Sequence, residues 1–198
     1  MRGESLIQPI IWILIGYLSG SIPTGYWIGR LKGIDLRSLG SGSTGATNVL
    51  RNVGKFPALV TFIVDILKGF LPVYYSYKFT SNDYITILVS IFCIVGHSKS
   101  IFLNFKGGKS SATALGILIG ISPIVALISF SIWLIVVLVS RYSSLGSIVA
   151  VPLAPVWFYF FHLPNVYIWL GIFIAVYIVL IRHRDNIKRL LNGTEPKI

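Results

Sequence analysis

The sequence has one cysteine, three histidines and only six acidic residues in 198. The single thiol, Cys93, lies inside an apolar run, so a disulfide framework is excluded and the redox compartment stays open. Three scattered histidines and so few carboxylates do not assemble a set of metal ligands, and neither a structural metal nor any other cofactor is expected. Against the six acids stand seventeen Lys and Arg, a formal charge of +11. In a soluble chain that excess would point to nucleic acid. Here the cations lie between long apolar runs and 55% of the residues are hydrophobic. The partner implied is a lipid bilayer rather than nucleic acid, with the cations marking orientation or meeting anions at its surface.

The apolar runs extend from Leu6 to Ile28, Pro57 to Tyr77, Tyr84 to Gly96, Ala112 to Val139, Leu145 to Phe161 and Val166 to Ile181. A helix needs about 20 apolar residues to cross the hydrocarbon core. The charged start at Arg2 is offset by Glu4 and further spans follow, so the first run is expected to be an uncleaved helix, not a signal peptide. The run from Ala112 to Val139 is either one long tilted helix or two segments parted at Ser122-Pro123, where proline removes a donor and restricts its predecessor. Charge favours two. With two crossings nearly all Lys and Arg outside the runs fall on one face, leaving Arg2 and Lys78 on the other; with one crossing the asymmetry mostly disappears. The expected fold is therefore an all-α polytopic membrane protein, a single domain over 1–198. It has about seven membrane segments, N-terminus outside and C-terminus cytoplasmic. Tyr84 to Gly96 and Ala112 to Ile121 are short, roughly 15–20 Å of helix each. The basic loop between them, His97 to Ser111, is expected to be recessed, and interrupted helices beside such a loop point to a binding site.

Three polar segments carry the chemistry. The first, Gly40 to Arg51, joins glycines, hydroxyls and an arginine; glycine lets backbone approach a ligand, and successive N–H groups can hold a phosphate. A flexible loop with a helix cap would read similarly. The second, Phe105 to Thr113, contains Gly-Gly-Lys109-Ser, which imitates the end of a P-loop, but Leu103 stands where the opening glycine belongs. An NTPase is not expected; a lysine beside two glycines remains a phosphate contact or a positive anchor. In the third, after the last run, His183, Asn186, Ile187 and Leu190 share a helix face, with Arg184 and Lys188 beside it and Gly193 and Pro196 ending it. An amphipathic interfacial helix explains the cations but not the inward His and Asn. Asp65 and Lys68, three apart within the second run, form either a neutralised packing pair or part of the site.

Together these segments resemble the bacterial acyl-phosphate-dependent glycerol-3-phosphate acyltransferases over nearly the whole chain. The resemblance is carried by Gly40-Ser-Gly with Gly45-Ala-Thr-Asn48 and Arg51, by Phe105-Lys-Gly-Gly-Lys109 with Ala112-Thr113, and by His183-Arg with Asn186-Ile187, Arg189-Leu190 and Gly193; Asp65 and Lys68-Gly69 add to it. Ser43, Ser100 and Ser110-Ser111 depart from the family's pattern. The resemblance implies acyl transfer from acyl phosphate to the 1-hydroxyl of sn-glycerol 3-phosphate, at the cytoplasmic face of a bacterial inner membrane, with no obligate protein partner. It implies catalytic roles for Arg51, Lys109, His183 and Asn186. Ser41, Gly45, Ala46, Thr47, Asn48, Gly107, Gly108, Ser144 and Arg184 would bind substrate, with Arg51 and Lys109 clamping phosphates and His183 the candidate base. Acyltransferases that use a histidine and an aspartate with four residues between are excluded, since no histidine has that partner. The rival reading is a transporter for an organic phosphate, for which internal repeats are lacking.

Overall fold

The computed structural model describes residues 7–198, all of whose regular elements are helical. Arg2, Glu4 and the first residue of the opening apolar run, Leu6, lie outside the described residues. Helix α1 (Ile7–Ser21) breaks at Ile22-Pro23 and continues as α2 (Thr24–Leu31). A short α3 (Ala46–Asn52) precedes α4 (Lys55–Thr80), α5 (Asp83–Ser98) and α6 (Ser111–Ile121). Then come α7 (Pro123–Ser140), α8 (Ser143–Phe160) and α9 (Asn165–Ala175), whose last turns widen to π geometry over Val176–Arg182. The amphipathic α10 (Arg184–Leu191) ends the helices.

Five of the helical segments are long and apolar enough to cross a membrane: Ile7–Leu31, Lys55–Thr80, Pro123–Ser140, Ser143–Phe160 and Asn165–Arg182. The run from Ala112 to Val139 is two helices. α6 stops at Ile121, and Pro123 opens α7 at a position where its missing N–H has no intrahelical partner to lose. The two helices expected to be short are the shorter apolar ones among the described residues. Asn82 caps α5 by accepting from the N–H groups of Tyr84 and Ile85, so that helix reaches 16 residues, about 24 Å and somewhat beyond the expected length; α6 has 11 residues and about 16 Å.

The bundle is apolar outside, and its interior mixes an apolar core with buried hydroxyls. Large side chains such as Leu31, Phe56, Trp169 and Val139 face outward, while many serines and threonines are buried. Without a hydrophobic drive between helices in lipid, close backbone contact must supply the packing. Two pairs show it. A Cβ at Gly20 would run into the Cys93 backbone and one at Gly96 into the Tyr17 carbonyl, locking α1 to α5. A Cβ at Gly69 would meet the Thr113 carbonyl and one at Gly116 the Ile66 carbonyl, locking α4 to α6. The loop leading into α6 is thereby held against the middle of α4.

Candidate active site

One cavity of about 380 Å³ opens among α3, α4, α5, α6, α7, α8, α9 and α10. It is polar at one end and apolar at the other, and the polar end gathers residues from all three sequence segments.

The first segment is shaped from within by Asn48. This buried amide donates to the carbonyls of Leu36, Leu39 and Ser43 at 2.8–3.1 Å, and its oxygen accepts from the N–H of Ser41 and from Asn52. Gly40, at φ +57, lies where a Cβ would strike that same oxygen, so glycine is required there. Asn48 borders the cavity, but its hydrogen-bonding capacity is taken by the loop; it builds the site and does not reach into it. Ser41, Gly45, Ala46 and Thr47 line the cavity, Thr47 sharing a hydrogen bond with Ser143 at 3.0 Å. The Arg51 guanidinium also faces it and is satisfied by the carbonyls of Pro196 at 2.6 Å and Lys197 at 3.3 Å. An anion is a stronger partner for it than these neutral oxygens.

In the second segment Lys109 lines the cavity, and burial pushes its ammonium down to about 8. Its Nζ donates to Asn186 Oδ1 at 2.6 Å. Gly107 and Gly108, expected to hold phosphate through their backbone, do not border the cavity. They pack on His97: a Cβ at Gly107 would meet the His97 carbonyl, and one at Gly108 would meet the ring. Their carbonyls accept from Arg182 at 3.1 and 2.7 Å. The glycines thus fix how the loop turns, and the turn aims Lys109.

From the third segment His183 and Asn186 are buried at the cavity wall, while Arg184 is exposed, paired with Asp185 at 3.5 Å, and does not line it. The π turns account for this. They add a residue per turn, so Arg182 turns toward the glycine loop and Arg184 away from it. The same turns bring His183 Nδ1 to 2.9 Å from the Ile178 carbonyl. A carbonyl only accepts, so Nδ1 carries the proton and Nε2 keeps its lone pair. Burial pulls the imidazole down to about 4, and the ring is neutral at pH 7.

Glu195 was not singled out by the sequence. Beyond Gly193, at φ +69, the chain folds back and its buried carboxylate accepts from Ser144 at 2.7 Å, Asn186 at 2.6 Å and Arg189 at 2.8 Å. Burial alone would raise its pKa; these three hydrogen bonds outweigh that and hold it below the usual carboxylate range. The expected pocket residue Ser144 is therefore at the cavity, oriented by Glu195. His97, which the sequence did not single out, and Asp65, read there as either a packing partner of Lys68 or part of the site, also line the wall. His97 shares a hydrogen bond with Thr113 at 3.1 Å, and Asp65 pairs with Lys68 at 2.7 Å. Lys68 in turn donates to the Ile22 carbonyl at the α1–α2 break, at 2.9 Å.

Because both partners of that pair are buried, removing one strands the other. Lys68→Met alone is expected to cost about 3–5 kcal/mol, and the double change Asp65→Leu with Lys68→Met to recover most of it, read as thermal unfolding in detergent. A double variant no more stable than the single one would show that the charges do not compensate each other.

The chain matches the family described as "Glycerol-3-phosphate acyltransferase" over residues 10–193. It is 46% identical to the glycerol-3-phosphate acyltransferase of Synechococcus sp. (strain CC9902), across 98% of this chain and 96% of that one. It is 47% identical to that of Carboxydothermus hydrogenoformans, across 96% of each. The fold is similar to the crystal structure of PlsY (YgiH), an integral membrane glycerol 3-phosphate acyltransferase. With its glycerol 3-phosphate form the TM-score is 0.92 at 40% identity, covering 96% of this chain and 95% of that one. With its lysophosphatidic acid form the TM-score is 0.89 at 39% identity, over the same shares. Length, motif order, fold and site thus converge, and this chain belongs to the glycerol-3-phosphate acyltransferase family.

Proposed function

We propose that this protein transfers a fatty acyl group from acyl phosphate to the 1-hydroxyl of sn-glycerol 3-phosphate, giving lysophosphatidic acid and inorganic phosphate. Family membership supports acyl transfer to glycerol 3-phosphate. The observation that carries the rest is the cavity itself, in which Arg51, Lys109, His183 and Asn186 meet at the polar end of an apolar slot. Two phosphates need a cationic end, and an acyl chain needs the other. An organic-phosphate transporter would have no use for the slot.

In this reading Arg51 and Lys109 grip the two phosphates and so hold hydroxyl and carbonyl within attack distance. The hydroxyl oxygen bonds to the acyl carbon, and the carbon–oxygen bond to phosphate breaks with its electron pair going to phosphate. The hydroxyl proton passes to a phosphate oxygen, whose second pKa of about 6 makes it a better acceptor at neutral pH than a ring held near 4. His183 Nε2 then accepts a hydrogen bond that orients the hydroxyl. Asn186 positions Lys109.

The whole of 1–198 acts as one domain. The five long segments together with α5 and α6 make seven crossings, N-terminus outside and C-terminus in the cytoplasm. The one-sided distribution of Lys and Arg supports that orientation, with the site facing the cytoplasm from a bacterial inner membrane.

Purified protein in lipid, given palmitoyl phosphate and glycerol 3-phosphate, should release phosphate only when both are present, and Lys109→Ala should lose at least about 100-fold. Release indifferent to glycerol 3-phosphate or to Lys109 contradicts the proposal. Since protonated Lys109 binds the phosphate, kcat/KM should fall as pH rises through about 8. His183→Gln should lower the rate without changing the profile between about pH 3.5 and 9. A limb near pH 4 that disappears in His183→Gln would instead make the histidine the base.

A further inference from the structure

The apolar slot has a measurable depth. On α8 the lining residues Ser143, Ser147, Ala150, Ala154 and Phe158 recur along one helical face, from the polar end inward. At the rise of an α-helix, Phe158 stands about 22 Å beyond Ser143. The innermost lining residue of α6, Ile121, is about 15 Å past Ser111, which itself follows Lys109 by two residues. The remaining apolar lining comes from Phe130 and Trp133 beside Ser129 on α7 and from Leu170, Gly171 and Ile174 on α9.

The far wall is fixed from behind. Phe158 is 1% exposed and its ring lies 6.4 Å, centroid to centroid, from that of Tyr167. The Tyr167 hydroxyl donates to the Asp83 carboxylate at 2.6 Å, which ties that ring to the start of α5. Phe158 is therefore backed by a ring that is itself held in place.

We propose that Phe158, the innermost lining residue of α8, is the stop that sets the longest acyl chain the protein takes efficiently. This rests on the acyl-phosphate reading of the site. An extended chain advances about 1.25 Å per carbon, so a slot of about 15–22 Å holds about 12 to 18 carbons counted from a carbonyl at the polar end. Each further methylene left without apolar cover costs about fourfold in binding. Ala154, one turn nearer the mouth on the same face, is small enough to let the chain pass.

The test is a series of acyl phosphates from ten to twenty carbons, with glycerol 3-phosphate and purified protein in lipid, reading kcat/KM at each length. The unmodified protein should peak near about 16 carbons and fall at least tenfold by twenty. Ala154→Leu should move the peak down by about four carbons, one helical turn, and Phe158→Ala should raise the twenty-carbon donor to within about twofold of its best. The two variants shift in opposite directions, so either one that retains its unfolding temperature decides the matter. A peak at the same length in folded, active variants, or a flat profile in the unmodified protein, would mean that the chain escapes sideways and that no stop exists. Failure of the unmodified protein to release phosphate from any acyl phosphate would instead overturn the donor on which the proposal rests.

Discussion

The ammonium of Lys109 sits at the inner end of a loop, among apolar helices, and one chain of hydrogen bonds holds it there. Lys109 donates to the oxygen of Asn186, Asn186 donates to Glu195, and Glu195 also collects Ser144 and Arg189. The order is dictated by chemistry. An ammonium only donates and a carboxylate only accepts, so the amide between them has a single workable orientation. Four separate pieces of chain meet through it: the glycine loop, α10, the residues beyond Gly193 and the start of α8. The compensation is nevertheless indirect. The nearest carboxylate is one amide away, which leaves the lysine short of a charged partner and ready for an anion.

The scaffold keeps that arrangement from relaxing. Close glycine contacts lock α6 to α4 and α5 to α1, so the ends of the loop cannot drift apart. Behind the loop, the His97 carbonyl lies against Gly107 and the His97 ring against Gly108, and Arg182 takes the carbonyls of both glycines. Buried backbone groups that water would otherwise satisfy are matched by side chains, as a membrane interior requires. On the other side of Lys109 the cavity runs between apolar faces of five helices. A cationic end and a lipid-like slot in one cavity suit a substrate that carries a phosphate head and a hydrocarbon tail.

Much of this was legible in sequence. Apolar runs marked the helices because a bilayer tolerates few alternatives, and Ser122-Pro123 marked a break because proline cannot extend α6. Arg51, Lys109, His183 and Asn186 stood out because glycines, an amide and an imidazole exceed what membrane anchoring needs. Other features depend on geometry that periodicity does not encode. The π turns carry Arg182 inward to the glycine loop, a contact that periodicity does not offer, and Arg184 stands exposed although the family resemblance places it among the substrate contacts. Glu195 reads as one acid in a basic tail, and its partners appear only when the chain reverses at Gly193. Gly107 and Gly108 looked like phosphate contacts because their true neighbour, His97, is distant along the loop and adjacent only in space.

The central claim is that Lys109, its ammonium pushed down to about 8 by burial, is held short of a charged partner until a phosphate arrives. Calorimetric titration of the protein with glycerol 3-phosphate at pH 8, in two buffers of different ionisation enthalpy, counts the protons exchanged on binding. The ligand is already a dianion at that pH, so with the lysine near 8 the account predicts uptake of about half a proton, lost in Lys109→Met. No uptake, or uptake that persists in Lys109→Met, would contradict it.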